Sequence, residues 1–65
     1  MQLRVNGVVR EVPADTTVAV LLDALRVPPG VAVAVNQTVV PRPDQADQRL
    51  QPQDQVEIIH AVGGG

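Results

Sequence analysis

The chain has 65 residues and a net charge of −2, with one His, no Cys and no aromatic residue. These counts exclude a disulfide framework and a zinc cluster, and without aromatics or a basic patch we do not expect nucleic-acid binding. The chain is long enough for one domain, residues 1–65, whose core must be aliphatic. Fourteen Val favour strands, because β-branched side chains pack well on a pleated surface.

The first residues alternate apolar and polar side chains instead of forming a charged segment followed by an apolar run. We therefore expect no signal peptide. No apolar stretch approaches the roughly 20 residues that a membrane-spanning helix needs. From these patterns we expect a soluble protein that is located in the cytoplasm.

The start of the chain predicts a β-hairpin. Residues 1–5 alternate with the period of a half-buried strand, and an Asn-Gly pair separates them from a second β-favouring run at 8–12. Asn-Gly between two such runs is a strong hairpin signal, because both residues tolerate a positive φ. A strict two-residue turn would place Arg10 opposite Leu3 on the core face, so we expect a longer loop or a bulge.

The next segment predicts a helix capped by Thr17. Its apolar side chains recur at i, i+3, i+4 and i+7 and are Val18, Leu21, Leu22 and Leu25. Val20 stands where an acidic residue would complete a capping box, which weakens the helix start. Pro-Pro-Gly at 28–30 is expected to end the helix.

The second half of the chain reads as strands and turns. A Val/Ala run at 31–35 predicts a strand covered on both faces, and a tight turn at 36–37 leads into a short strand at 38–40, after which two prolines stop the pairing. Polar residues at 44–49 predict one helical turn. Leu50 is expected to be an isolated anchor, followed by a turn at 52–54.

The last strand is predicted at 55–62, before a flexible glycine tail at 63–65. Alternation turns Val56 and Ile58 inward, with Ile58 against Leu3, and turns Glu57 and Ile59 outward. The element order indicates an α+β fold with four to five strands in a mixed sheet and one main helix across one face.

Four segments carry a family resemblance: the opening MQLRVNG, the helix TTVAVLLDAL, the run VAVAVNQTVVPR and the ending VEIIHAVGGG. They resemble the ThiS family of sulfur carriers in thiamin biosynthesis over essentially the whole chain. The resemblance implies a ubiquitin-like β-grasp fold, in which the final strand lies in the middle of the sheet beside the first. Gln53 departs from it at a turn position where the family often has Gly, and Val20 replaces a frequent Glu.

The resemblance also implies the chemistry of the tail. The carboxylate of Gly65 would be adenylated with Mg-ATP by an enzyme similar to the ubiquitin-activating (E1-like) enzymes. A persulfide sulfur from a cysteine desulfurase or a similar donor would then displace AMP, and thiazole synthase would accept the sulfur of the resulting thiocarboxylate. The carrier itself would bind no cofactor and would not be an enzyme. Gly63 and Gly64, which have no Cβ, suit a tail that threads into a narrow channel.

Other candidate residues favour structural interpretations. The chain has no Ser, no Cys and no second His to pair with His60, so we interpret His60 as a structural or surface residue. Two carboxylates, Asp44 and Asp47, rarely suffice to bind a cation, so we expect them to lie on a solvated face. Ile59 and Val62 are candidates for docking to the activating enzyme.

Three alternatives remain open at this point. The chain is a carrier for another sulfur pathway (molybdopterin or cysteine), a ubiquitin-like modifier that forms isopeptide bonds, or a β-grasp binding module without tail chemistry.

Overall fold

A computed structural model describes residues 1–28 and 30–59. It contains five strands, a helix and a short 3₁₀ helix; in chain order these are β1 (Gln2–Val5), β2 (Val8–Glu11), α1 (Val18–Ala24), β3 (Ala32–Val35), β4 (Thr38–Val39), the 3₁₀ helix (Arg42–Asp44) and β5 (Gln55–Ile59). The strands form one sheet in the order β2-β1-β5-β3-β4, in which β1 and β5 are parallel and the other pairs are antiparallel. The predicted α+β class and the central position of the last strand are confirmed.

The first hairpin is confirmed, but the expected longer loop or bulge is wrong. Leu3 lies opposite Arg10 and Val5 opposite Val8, so the turn has two residues. Both have positive φ, 49° at Asn6 and 82° at Gly7, as a type I′ turn requires. The register is tolerated because β2 is an edge strand whose four residues are all exposed. Arg10 therefore faces the helix side of the sheet without being buried.

Thr17 caps α1 as predicted, because its Oγ1 accepts a hydrogen bond from the Val20 N–H at 3.2 Å. The two preceding N–H groups of the helix are satisfied by the segment after the 3₁₀ helix. Val18 N donates to the carbonyl of Gln48 and Ala19 N to that of Gln45, both at 3.0 Å. Donors that a helix start leaves unpaired thus find acceptors in a distant part of the chain.

α1 ends several residues before the prolines that were expected to stop it. Val27 N donates to the carbonyl of Leu22 and Arg26 N to that of Asp23, at 2.9 and 3.0 Å. This is the Schellman pattern, whose key residue adopts the left-handed conformation. That residue is Arg26, with φ of 57°. This helix end was not predictable from the sequence, because Gly is the usual residue at that position and Arg26 stands there instead.

The second hairpin, β3-β4, also has a two-residue turn, with φ of 51° at Asn36 and 71° at Gln37. The predicted turn at 36–37 is therefore confirmed. The prediction that β3 is covered on both faces holds for Val33 to Val35 and is wrong at Ala32, which is exposed on the side of the sheet away from α1. The predicted helical turn at 44–49 begins earlier, with the 3₁₀ helix, although Gln48 N still donates to the carbonyl of Asp44.

The core lies between α1 and the helix-facing side of the sheet. Its buried members come from α1, from the strands β1, β3 and β5, and from two loop positions; they are Leu3, Val5, Val18, Leu21, Val33, Val35, Val40, Leu50, Val56 and Ile58. Leu50 is confirmed as an anchor, since only 2% of it is exposed. Leu3 and Ile58 share this core, but the register places Val56 beside Val5 and puts Ile58 beyond the end of β1.

Candidate functional site

The candidate site is the end of β5, because the glycine tail follows this strand in the sequence. β5 is hydrogen-bonded to β1 on one side and to β3 on the other. Its described part ends at Ile59. The residues predicted to carry chemistry or docking beyond that point lie outside the described residues, so their roles stay predictions; they are His60, Val62, Gly63, Gly64 and Gly65.

Two asparagine turns brace β5, one at each end. Beyond the end of β1, Asn6 N donates to the carbonyl of Val56 at 2.9 Å, and Asn6 Oδ1 accepts from Ile58 N at 2.8 Å. The Asn6 carboxamide thus replaces the strand that has turned away, and it extends the hydrogen bonding of β5 toward the tail.

At the start of β5, Asn36 plays the corresponding part. Its backbone N donates to the carbonyl of Gln55 at 2.7 Å, and its Oδ1 accepts from Gln55 N at 3.0 Å. Its Nδ2 donates to Asp54 Oδ1 at 2.9 Å. Sequence reasoning treated both Asn residues only as turn formers. Their positive φ was foreseeable, but the partner of each side chain lies far away in the sequence.

The outward-facing side of β5 carries an apolar patch. The predicted alternation is confirmed: Val56 and Ile58 are buried, whereas Glu57 and Ile59 are exposed. Ile59 is 53% exposed and lies opposite Ala32, and Val39, 61% exposed, lies on the same side opposite Ala34. We call these four residues, Ile59, Ala32, Ala34 and Val39, the open-face patch.

The described acidic residues do not assemble into a metal site. Asp44 and Asp47 are both exposed. Across residues 1–28 and 30–59, no three His, Cys, Asp or Glu side chains cluster as metal ligands would. The ion pair in this part of the chain joins the N-terminal ammonium group to Glu11 at 3.0 Å, and it ties the two strands of the first hairpin together.

The longest helix in the described residues, α1, has seven residues. Neither it nor any other helix in that part of the chain is long and apolar enough to cross a bilayer.

Comparison with known proteins decides the family. The model of the ThiS family matches residues 3–65. This chain belongs to the ThiS family. It is 35% identical to the sulfur carrier protein ThiS of Escherichia coli over 66 aligned positions that cover both chains completely. Membership makes the protein a small sulfur carrier of thiamin biosynthesis, a carrier and not a catalyst.

Solved structures agree with this assignment. A crystal structure of the thiamine biosynthesis protein ThiS from Geobacter metallireducens superposes with a TM-score of 0.85 at 33% identity and covers both chains fully. A solution structure of a thiamine biosynthesis protein from the same organism gives 0.82 at 33% identity, covering this chain fully and 88% of the other. The expected β-grasp fold is confirmed.

A longer relative also matches. The thiazole synthase of Magnetococcus marinus is 39% identical over 66 aligned positions, which are all of this chain and 20% of that protein. The chain therefore spans about a fifth of this relative and the whole of the Escherichia coli one.

Gln53 and Val20, the two positions named as departures from the family resemblance, each affect the local structure. Gln53 has φ of 67°, a left-handed conformation in which Gly carries no steric penalty. Its backbone N donates to the carbonyl of Gln2 at 2.6 Å, so this turn is tied to β1. The departure at Val20 leaves the first turn of α1 without an acidic residue, and the side chain is 56% exposed.

Proposed function

We propose that the carboxylate of Gly65 is the group that carries sulfur. An activating enzyme related to the ubiquitin-activating enzymes transfers AMP from Mg-ATP to this carboxylate, releasing pyrophosphate. A persulfide sulfur, supplied by a cysteine desulfurase or a similar donor, attacks the acyl carbon and displaces AMP. Reductive cleavage of the resulting acyl disulfide by a thiol leaves the thiocarboxylate, whose sulfur enters the thiazole of thiamin.

The observation that carries this proposal is family membership over residues 3–65, which includes the three terminal glycines. The bracing of β5 supports it. Asn6 Oδ1 accepts a hydrogen bond from the N–H of Ile58, five residues before Gly63, which gives the segment leading to the tail a rigid base. A rigid base reduces the conformational entropy that is lost when a partner binds the tail.

The choice of glycine has a physical reason that does not depend on the family. Gly63 and Gly64 can adopt backbone angles that are closed to other residues and can pass through a channel too narrow for side chains. At Gly65, the absent side chain leaves the acyl carbon open to attack. The chain has no Lys, so it offers no side-chain amine that could consume its own acyl-adenylate.

The Magnetococcus marinus relative supports thiazole synthase as the acceptor. A protein with that name contains a stretch similar to this entire chain. Carrier and synthase joined in one polypeptide would meet at high effective concentration, which suits a pair that must exchange sulfur. The cytoplasmic location expected from the sequence is also part of the proposal.

We further propose that Ile59, together with Val62, contacts the activating enzyme. Ile59 is the exposed last residue of β5, the strand that precedes the tail in the sequence, and it would bury apolar surface on docking. Ile59→Asp should weaken complex formation and leave the fold intact. Val9→Asp is the matched control, because Val9 is 52% exposed on the same side of the sheet but on the edge strand β2. Equal loss of binding in both variants would contradict a specific role for Ile59.

The chemistry is tested with the activating enzyme, ATP and a persulfide donor. Intact mass should increase by the exchange of one oxygen for one sulfur, and a form ending at Gly63 should show no increase. A thiamin auxotroph that lacks its own carrier should be rescued by the full chain and not by that shortened form. Rescue by the shortened form would refute the proposal.

The alternatives predict different outcomes. A carrier for molybdopterin or cysteine would form the thiocarboxylate but fail to rescue the thiamin auxotroph. A protein modifier would be found in isopeptide linkage to lysines of other proteins. A binding module without tail chemistry would keep its function without Gly64 and Gly65.

A further inference from the structure

The end of β5 is bordered on the helix side by a groove that the family comparison does not assign. It lies between the first hairpin and the carboxyl end of α1. We call it the exit groove. Its lining includes the apolar side chains of Val8, Leu25, Val27 and Ile58 and the cationic side chains of Arg10 and Arg26. Val8 is 55% exposed, whereas Ile58 is 8% exposed and lies on the floor; Ile58 is also the lining residue closest to the tail in the sequence.

The charge of the exit groove is opposite to that of the protein. Its lining includes two of the five arginines and none of the seven acidic residues, although the chain as a whole carries −2. Among residues 1–28 and 30–59, neither of these guanidinium groups belongs to an ion pair. A local positive site on an acidic protein is suited to steer a negatively charged partner into one orientation.

Arg26 stands in a conformation that works against stability. Its φ of 57° follows the end of α1 and is a left-handed conformation that is unfavourable for an L residue and that Gly adopts without a steric penalty. The side chain of Arg26 lines the exit groove together with that of Arg10.

The position of the groove limits which partner can use it. Six residues follow Ile59 in the sequence, so an enzyme that binds the terminal carboxylate deep in a pocket brings its entrance close to the end of β5. Successive residues of a strand point to opposite sides of the sheet. The entrance that contacts Ile59 on one side therefore has the exit groove, floored by Ile58, on the other.

We propose that the exit groove docks an acidic segment at the entrance of the activating enzyme's active site, with an apolar side chain on its floor and carboxylates facing Arg10 and Arg26. This inference rests on the proposed function, since it assumes that the tail enters that enzyme. Beyond the proposed function, the inference assigns a second contact with the activating enzyme, places it in the exit groove and gives it a positive charge on this chain.

The test measures adenylation as ATP–pyrophosphate exchange over a range of carrier concentrations. The double variant Arg10→Glu/Arg26→Glu should raise the KM for the carrier by about tenfold or more and leave kcat unchanged, because the contact orients the carrier without touching the reacting atoms. The dependence of kcat/KM on salt should also become weaker. Arg42→Glu/Arg49→Glu is the matched control, with the same charge change at exposed residues outside the groove, and should keep the KM of the original chain.

A second variant separates docking from folding. Arg26→Gly removes the charge and relieves the left-handed backbone, so it should increase the unfolding temperature while it raises the KM. An unchanged KM in the double variant would overturn the proposal. So would an equal effect of the control, or a defect confined to sulfur transfer onto thiazole synthase.

Failure of the proposed function would look different. In that case the unaltered chain would form no adenylate at any concentration. The form ending at Gly63 gives an independent reading, because it keeps the groove and lacks the reactive end. It should compete with the full chain for the activating enzyme, and Arg10→Glu/Arg26→Glu in the shortened form should raise the concentration needed for this competition by about tenfold or more.

Discussion

Replacing Asn6 tests whether its side chain holds the strand that leads to the tail. Asn6 has two separable roles: its φ of 49° fits the turn, and its Oδ1 accepts from the N–H of Ile58, a residue that is only 8% exposed. Asn6→Gly removes the acceptor and keeps the turn, Asn6→Ala removes both, and Asn6→Asp keeps both. The three variants therefore form a graded series.

The magnitudes follow from the two roles. An N–H left without its acceptor in a partly buried site costs about 1–2 kcal/mol, the expected loss for Asn6→Gly. Ala adds about 1–2 kcal/mol for the left-handed backbone, which gives about 2–4 kcal/mol in total. Asp should stay close to the original chain. A chain of 65 residues has a free energy of unfolding of roughly 3–10 kcal/mol, so the Ala variant should lose a large part of it.

Urea unfolding followed by far-ultraviolet circular dichroism provides the free energies, since the chain has no aromatic residue for fluorescence. Hydrogen exchange at the Ile58 amide reports the contact directly and should accelerate in the Gly and Ala variants. If Asn6→Gly unfolds at the same urea concentration as the original chain, with unchanged exchange at Ile58, the bracing of β5 by Asn6 is refuted.

Three further changes test the folding argument, each by thermal or urea unfolding. Val20→Glu should complete the capping box and place a negative charge at the start of α1, which should increase the free energy of unfolding by about 0.5–1 kcal/mol. An unchanged free energy of unfolding in this variant would contradict the capping argument. Gln53→Gly should increase the free energy of unfolding by about 1 kcal/mol, because Gly adopts the φ of 67° without strain. Gln51→Gly is the control, since φ is not positive at Gln51, and should give no increase. Equal effects of the two variants would show that the backbone is not strained at Gln53. Leu50→Ala should cost about 3–5 kcal/mol because the side chain is 2% exposed in the core, and a loss below about 1 kcal/mol would contradict its role as an anchor.

Local sequence patterns predicted the elements of this fold well. The alternation in residues 1–5 and 55–59, the turn at positions 6 and 7 and the cap at Thr17 depend on neighbours within a few residues, so the chain's own order specifies them. The inward and outward residues of the last strand were also predicted correctly. The candidate site was located from the glycine tail in the sequence together with the likeness to a family.

The wrong predictions concern features that depend on contacts with a remote part of the chain. The expectation of a bulge near Arg10 rested on the premise that a residue paired with a core-facing residue such as Leu3 must be buried. Arg10 is exposed because β2 is an edge strand that α1 does not cover. The left-handed residue that follows α1 could not be predicted from the sequence, because it is Arg26 and the usual residue at such a helix end is Gly. Neither the covering of a strand nor the fit of a helix end is encoded by adjacent residues.

The sequence by itself determined which segments are strands, helix and turns, because these properties depend on short-range sterics and on the order of residues. Only the tertiary structure decided that Asn6 extends the ladder of β5 and that Arg10 and Arg26 line one groove beside its end. The physical reason is that these relations join residues 16 to 52 positions apart. Their meeting depends on how α1 packs across the sheet, which no local pattern contains.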